Sequence, residues 1–185
     1  GFEFENKFVS ADNSSVQIKA TTNVSVQTVL DVGNDFSGVK LKVGDRIIDK
    51  CSSTGKFEIA GIEFGQSISV ESEDYHADTT IEVNDNLPKT ISLQKHYSLK
   101  VNTFADNQPL SDVDVIVSNQ TYKTDKNGFV QIDKLYGTNE CVLEKPGYKF
   151  ETSYLVNYYQ SKISAVGQQL FDILGSVCSG EIILD

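Results

Sequence analysis

The sequence predicts an all-β protein made of two tandem Greek-key β-sandwiches, with extra strands at both ends. Three observations predict it. β-Branched Val, Ile and Thr and the turn formers Ser, Asn and Asp dominate, while Ala is scarce and Met and Trp are absent. Apolar residues recur at period two, the spacing that buries one face of a strand and leaves the other wet. The chain also matches itself when slid along by a constant offset, the mark of a tandem repeat.

The repeat sets the domain organisation. Gly55 falls in phase with Gly128, Ile59 with Ile132, Ile62 with Leu135 and Tyr75 with Tyr148, each at an offset of 73 (148 − 75 = 73). Phe36 to Val43 matches Leu110 to Val117 at an offset of 74 (110 − 36 = 74). Gly1 to Glu5 reads against Gly147 to Glu151. Residues 1–22 are therefore expected to be the end of a preceding repeat or additional strands. Residues 23–95 are expected to form the first sandwich, and residues 96–185 the second with a C-terminal extension that is either the start of a next repeat or additional strands. Almost no linker separates the copies around Gln94-Lys95-His96, which predicts a stiff tandem.

In the first copy the alternating positions are Val24/Val26, Val39/Leu41/Val43, Ile47, Phe57/Ile59, Ile68/Val70, Ile81/Val83 and Ile91/Leu93. The second follows with Leu99/Val101, Val113/Val115/Val117, Val130/Ile132, Cys141/Leu143, Leu155 and Ile163/Ala165. Turn chemistry separates these strands, as at Asp106-Asn107-Gln108-Pro109 and Asp125-Lys126-Asn127-Gly128.

Charge narrows the partners. With 26 acidic and 16 basic residues the net charge is −10, which opposes nucleic acid and anionic membranes alike. No apolar run approaches the roughly 20 residues that span a bilayer. The chain opens on Gly1 without an initiator Met and reads as an excised segment whose targeting signals lie elsewhere.

The motifs Gln108-Pro109-Leu110-Ser111-Asp112-Val113-Asp114-Val115, Thr124-Asp125-Lys126-Asn127-Gly128, Leu135-Tyr136-Gly137 and Lys145-Pro146-Gly147-Tyr148 follow one another in a recognisable order. In that order they resemble the transthyretin-like sandwiches called carboxypeptidase regulatory-like domains, and the collagen-adhesin B-type, Ig-like repeats of Gram-positive surface proteins. The resemblance covers most of residues 97–160 and, more faintly, 24–94. It implies an extracellular, cell-surface location. It also implies an internal Lys–Asn isopeptide bond assisted by a Glu, for which Glu71 and Glu144 fall in place. The Lys positions, however, hold Thr28 and Thr103, and Lys100 points to the other face by alternation.

No catalytic constellation stands out, and the chain is read as a non-enzyme that uses no cofactor. The three cysteines, Cys51, Cys141 and Cys178, lack metal or redox spacing; Cys141 reads as a buried small hydrophobe, with a Cys141–Cys178 disulfide as an alternative. His76 and His96 have no nucleophile motif beside them. Asp125 to Gly128 has oxygen ligands two apart, as calcium loops do, but Gln131 and Asp133 complete such a loop poorly, and a glycine turn accounts for it better. Asn13, Asn23 and Asn119 head N-glycosylation sequons. Tyr154, Tyr158 and Tyr159 are the candidate ligand-binding residues, with Tyr154 and Tyr158 on one face by alternation, suited to a sugar ring or a partner protein. The functional expectation is a structural or adhesive module that is stalk or binding domain. Its partners would be neighbouring repeats and a host or matrix protein or glycan. The alternative is a carbohydrate- or protein-binding accessory module of a secreted enzyme.

Overall fold

A computed structural model supplies the fold and describes residues 3–4, 20–85 and 87–170. The chain divides into two compact units, residues 1–95 and 96–185. The expected strands at 171–185, the Cys178 half of the disulfide and the Asn13 sequon lie outside the described residues.

The first unit contains β1 (Glu3–Phe4), β2 (Ala20–Leu30), β3 (Lys40–Val43), β4 (Arg46–Ile48), β5 (Lys56–Glu63), β6 (Ser67–Glu71), β7 (Tyr75–His76), β8 (Ile81–Glu82) and β9 (Lys89–Lys95). One sheet centres on β2, which pairs antiparallel with β5 and parallel with β9; β7 pairs with the end of β9 and β1 with the start of β2. The other sheet runs β4-β3-β6-β8. β6 returns past β4 and β5 to lie beside β3, the return that defines a Greek key.

The second unit repeats this with β10 (Tyr97–Ala105), β11 (Gln108–Pro109), β12 (Asp114–Val117), β13 (Gln120–Lys123), β14 (Phe129–Leu135), β15 (Asn139–Glu144), β16 (Tyr148–Lys149), β17 (Tyr154–Val156), β18 (Lys162–Val166) and β19 (Gln168–Gln169). β10 pairs antiparallel with β14 and parallel with β18, and the facing sheet runs β13-β12-β15-β17. The described residues are thus all-β.

Alternation explains the core. Along β10, Leu99, Val101 and Thr103 point inward, as Val24, Val26 and Thr28 do along β2. In the first unit these meet Leu41, Val43 and Ile68 of the facing sheet; in the second they meet Val115, Val117 and Cys141. Each fully buried aliphatic or Phe57-sized side chain contributes roughly 1.5–3 kcal/mol. Two small cores of this kind are what domains of this length require.

The copies agree down to irregularities. The register of β2 against β5 shifts between Thr22 and Val24, and that of β10 against β14 between Tyr97 and Leu99. The turn before the second long strand is also shared. Ser52 Oγ accepts the Thr54 and Lys56 amides, while Asp125 Oδ1 accepts those of Asn127 and Phe129, at 2.8 and 2.9 Å. Gly55 and Gly128 then take φ of 78° and 68°, where a side chain is strained.

Candidate functional site

β17 runs only from Tyr154 to Val156, because Asn157 stops it. Asn157 Oδ1 accepts the amides of Tyr159 and Gln160 at 2.9 and 3.0 Å, folding 157–160 into a tight turn that leads to β18. Period-two alternation therefore ends before Tyr158, and Tyr154 and Tyr158 do not share a strand face. That expectation is corrected. It is Tyr159 that joins Tyr154 in lining one surface cleft of about 500 Å³, together with Leu155, Gln160, Ser161 and Lys162. Tyr158 stands against Tyr159 instead, ring centroids 5.3 Å apart and planes at 87°, an edge-to-face pair.

The three tyrosines differ in exposure. Tyr154 is half-buried against the second core, and burial pushes its phenol above the ordinary value. Tyr159 is 79 % exposed and Leu155 68 %. The cleft thus offers the exposed Tyr159 and Leu155 side chains, the half-buried Tyr154 ring, an amide, a hydroxyl and one cationic side chain. Such an arrangement can stack on a ring and hydrogen-bond its substituents. Sequence reading missed Gln160 and Lys162 as part of it and set Leu155 among the core-facing positions; the structure corrects that, because Val156 takes the inward position on β17 and Leu155 faces outward.

The positions expected for a crosslink are occupied otherwise. Thr28 is buried, and both its amide and its hydroxyl donate to Gly55 O, at 2.9 and 2.8 Å. Thr103 is buried too; its amide donates to Gly128 O at 2.8 Å, and its hydroxyl lies 2.6 Å from Leu110 O. Glu71 and Glu144 are exposed strand residues, opposite Lys40 and Asp114 in the ladders. Lys100 is exposed on the outer face. The hydroxyls hold the first strand of each unit to the glycine turn, and among the described residues no carboxylate is buried.

The remaining motifs are absorbed by local structure. The Asp125 carboxylate, held below the usual range by the Phe129 and Asn127 amides, caps its own turn. Among the described residues no group of three or more His, Cys, Asp or Glu is placed to hold a metal. His76 Nε2 lies 3.0 Å from Asp78 Oδ1, and His96 packs its ring near Tyr136. Cys141 is wholly buried, and that burial pushes its thiol up to about 11.

No family model and no curated protein matches the sequence. Among solved structures the chain is similar to the Bacillus anthracis TIE protein, at 15 % identity and a TM-score of 0.35, over 82 % of this chain and 36 % of that one. It is similar to a Streptococcal ancillary pilin, at 15 % identity and 0.38, over 80 % of this chain and 62 % of that one. A third is the shaft pilin SpaA from Lactobacillus rhamnosus GG, at 9 % identity and 0.32, over 80 % and 98 %. The chain spans about a third of the length of the first and under two thirds of the second.

Proposed function

We propose that this chain is a structural or adhesive module of an extracellular cell-surface repeat protein, acting as a stalk that carries force or as a binding domain. The observation that carries the reading is the pairing of first and last strands. In the first unit Val26 to Leu30 pair in parallel with Lys89 to Leu93; in the second, Lys100 to Phe104 pair in parallel with Lys162 to Val166. In a parallel pair the chain enters and leaves at opposite ends of the ladder. Tension applied through the chain ends then shears the whole ladder at once rather than peeling it bond by bond. Both copies keep this arrangement, which suits a module carrying force in series. The acidic surface and the described residues' lack of any helix long and apolar enough to cross a membrane are compatible with it.

Single-molecule pulling tests the reading. Pulled through residues 23 and 169, the chain should give two unfolding events at high force. Pulled through cysteines placed on β12 and β13, which peel apart as an antiparallel hairpin, the second unit should open at a much lower force. Equal, low forces in both geometries would remove the mechanical reading.

The cleft at Tyr154 and Tyr159 favours a second reading, a carbohydrate- or protein-binding accessory module. A glycan and matrix-protein array separates the two readings. Saturable binding lost in Tyr159→Ala and Leu155→Ala, both exposed positions, supports recognition at this cleft; binding that survives both places recognition elsewhere.

A further inference from the structure

In each unit a short edge strand of one sheet turns back into the last strand of the other, and the two copies build that turn alike. In the first unit Ile81 and Glu82 stand opposite Ile68 and Ser67; in the second, Tyr154 and Leu155 stand opposite Cys141 and Glu140. These ladder partners follow the repeat offset (141 − 68 = 140 − 67 = 73). Tyr154 therefore takes the place of Ile81, and Leu155 that of Glu82. A turn capped by a side-chain oxygen follows in both. Asp85 Oδ1 accepts the Leu87 amide at 3.0 Å, and Asn157 Oδ1 accepts the Tyr159 amide at 2.9 Å.

The charge of the two places differs. In the first unit Asp85 also holds Lys89, with Nζ 2.7 Å from Oδ1, so the cap neutralises the cation of its own turn. In the second unit the cap is the uncharged Asn157, and Leu155 stands where Glu82 did. Among the described residues Lys162 makes no ion pair. Two acidic positions of the first unit are thus neutral in the second, in a chain of net charge −10. The cleft of about 500 Å³ gathers Lys162 with Tyr154, Tyr159, Gln160 and Ser161, and among the described residues no Asp or Glu lines it. Glu151, whose charge is felt at Tyr154, lines a separate cleft together with Lys149.

We infer that this cleft is a site for a carboxylated sugar of the uronic or sialic acid class, with Lys162 receiving the carboxylate. The inference rests on the recognition reading of the cleft and adds its selectivity for charge. The Tyr159 and Tyr154 rings offer faces to the C–H side of a sugar. The Gln160 amide and the Ser161 hydroxyl can bond its hydroxyls, and the Lys162 ammonium brings three donors to an anion. A peptide fits less well. Adding a strand to a sheet edge needs a run of free backbone groups, and β17 is three residues long and ends in the Asn157 turn.

Titration calorimetry on the whole chain tests this, comparing 3′-sialyllactose with lactose and a hyaluronan tetrasaccharide with N-acetylchitotetraose. In at least one pair the acidic sugar should bind about tenfold more tightly than the neutral one. Lys162→Gln should remove that preference. Asn157→Asp, which restores the first unit's acidic cap and keeps the turn capped, should weaken it. Lys149→Gln, the same loss of charge in the neighbouring cleft, should leave it in place. Equal affinities within both pairs that are lost in Tyr159→Ala overturn the inference and keep the cleft as a neutral-sugar site. A preference that survives Lys162→Gln also overturns it, by placing the anion elsewhere. Binding to none of the sugars overturns the inference and the carbohydrate reading together, and capture of hexaglutamate in their stead would assign the cleft to a protein partner.

Discussion

Gly61 and Lys134 hold the same left-handed position in the two units (134 − 61 = 73), at φ of 67° and 60°. Each sits where the long second strand carries an extra residue opposite Asn23 or Ser98, the β-bulge that re-aims the end of the strand. The first copy fills it with the residue that tolerates that backbone; the second does not.

Lys134→Gly should therefore stabilise the second unit. Relief of the left-handed strain is worth about 1–2 kcal/mol, and the added freedom of glycine in the unfolded chain takes back about 0.5–1 kcal/mol. Gly61→Lys should destabilise the first unit to a similar degree, since nothing lies within 4 Å of a Cβ there and only φ is at issue. Urea unfolding of the single variants measures both.

Gly128 is constrained by space as well. A Cβ on it would stand 2.4 Å from Thr103 O and 3.0 Å from Leu110 N, both backbone atoms. On Gly55 the nearest atoms belong to side chains, the Phe36 ring at 2.3 Å and Thr28 Oγ1 at 2.7 Å. Side chains can rotate away where backbone cannot. Gly128→Ala should cost about 3 kcal/mol or more and Gly55→Ala clearly less. Thermal melts that show equal losses would contradict the steric argument.

Most of the core was legible in the sequence because alternation reports burial directly: Val24, Val26, Leu99 and Val101 all point inward as the pattern requires, whereas Ile47 and Leu155, on short strands of three residues, are exposed against it. Elements without apolar alternation were not legible. β13 is a polar edge strand, Gln-Thr-Tyr-Lys, and β7 and β16 are two-residue ladders whose partners lie well beyond the next turn in the chain. The tyrosine face was misread because the Asn157 turn breaks the strand that the alternation assumed. The Lys134 bulge carries no glycine signal of its own and shows only when the two copies are laid side by side.

Two buried threonines should respond oppositely to the same change. The Thr103 hydroxyl donates to Leu110 O, so Thr103→Val should cost roughly 1 kcal/mol through a lost hydrogen bond. Thr22 is buried in the first unit, and its hydroxyl has no hydrogen-bond partner. Thr22→Val removes a buried polar atom at constant shape, and should be neutral or stabilising by about 1 kcal/mol. Denaturant midpoints with unchanged slopes check both signs.

Acid should distinguish the two glycine turns. Asp125 is an exposed cap whose carboxyl is held below its ordinary value, first by the Phe129 amide and then by Asn127. A depressed carboxylate contributes stability that is present above the unfolded value of about 3.9 and lost as pH falls through the lower folded value. Ser52, its counterpart in the first unit, caps with a hydroxyl and does not titrate in that range. Asp125→Ser should thus copy the first turn, lowering stability at neutral pH while flattening the acid dependence of the second unit below about pH 4. Unfolding followed through Cys141 alkylation reports on the second unit, because that thiol is wholly buried until the unit opens. An acid profile that keeps its slope in Asp125→Ser would show that the carboxylate is not what the turn loses on protonation.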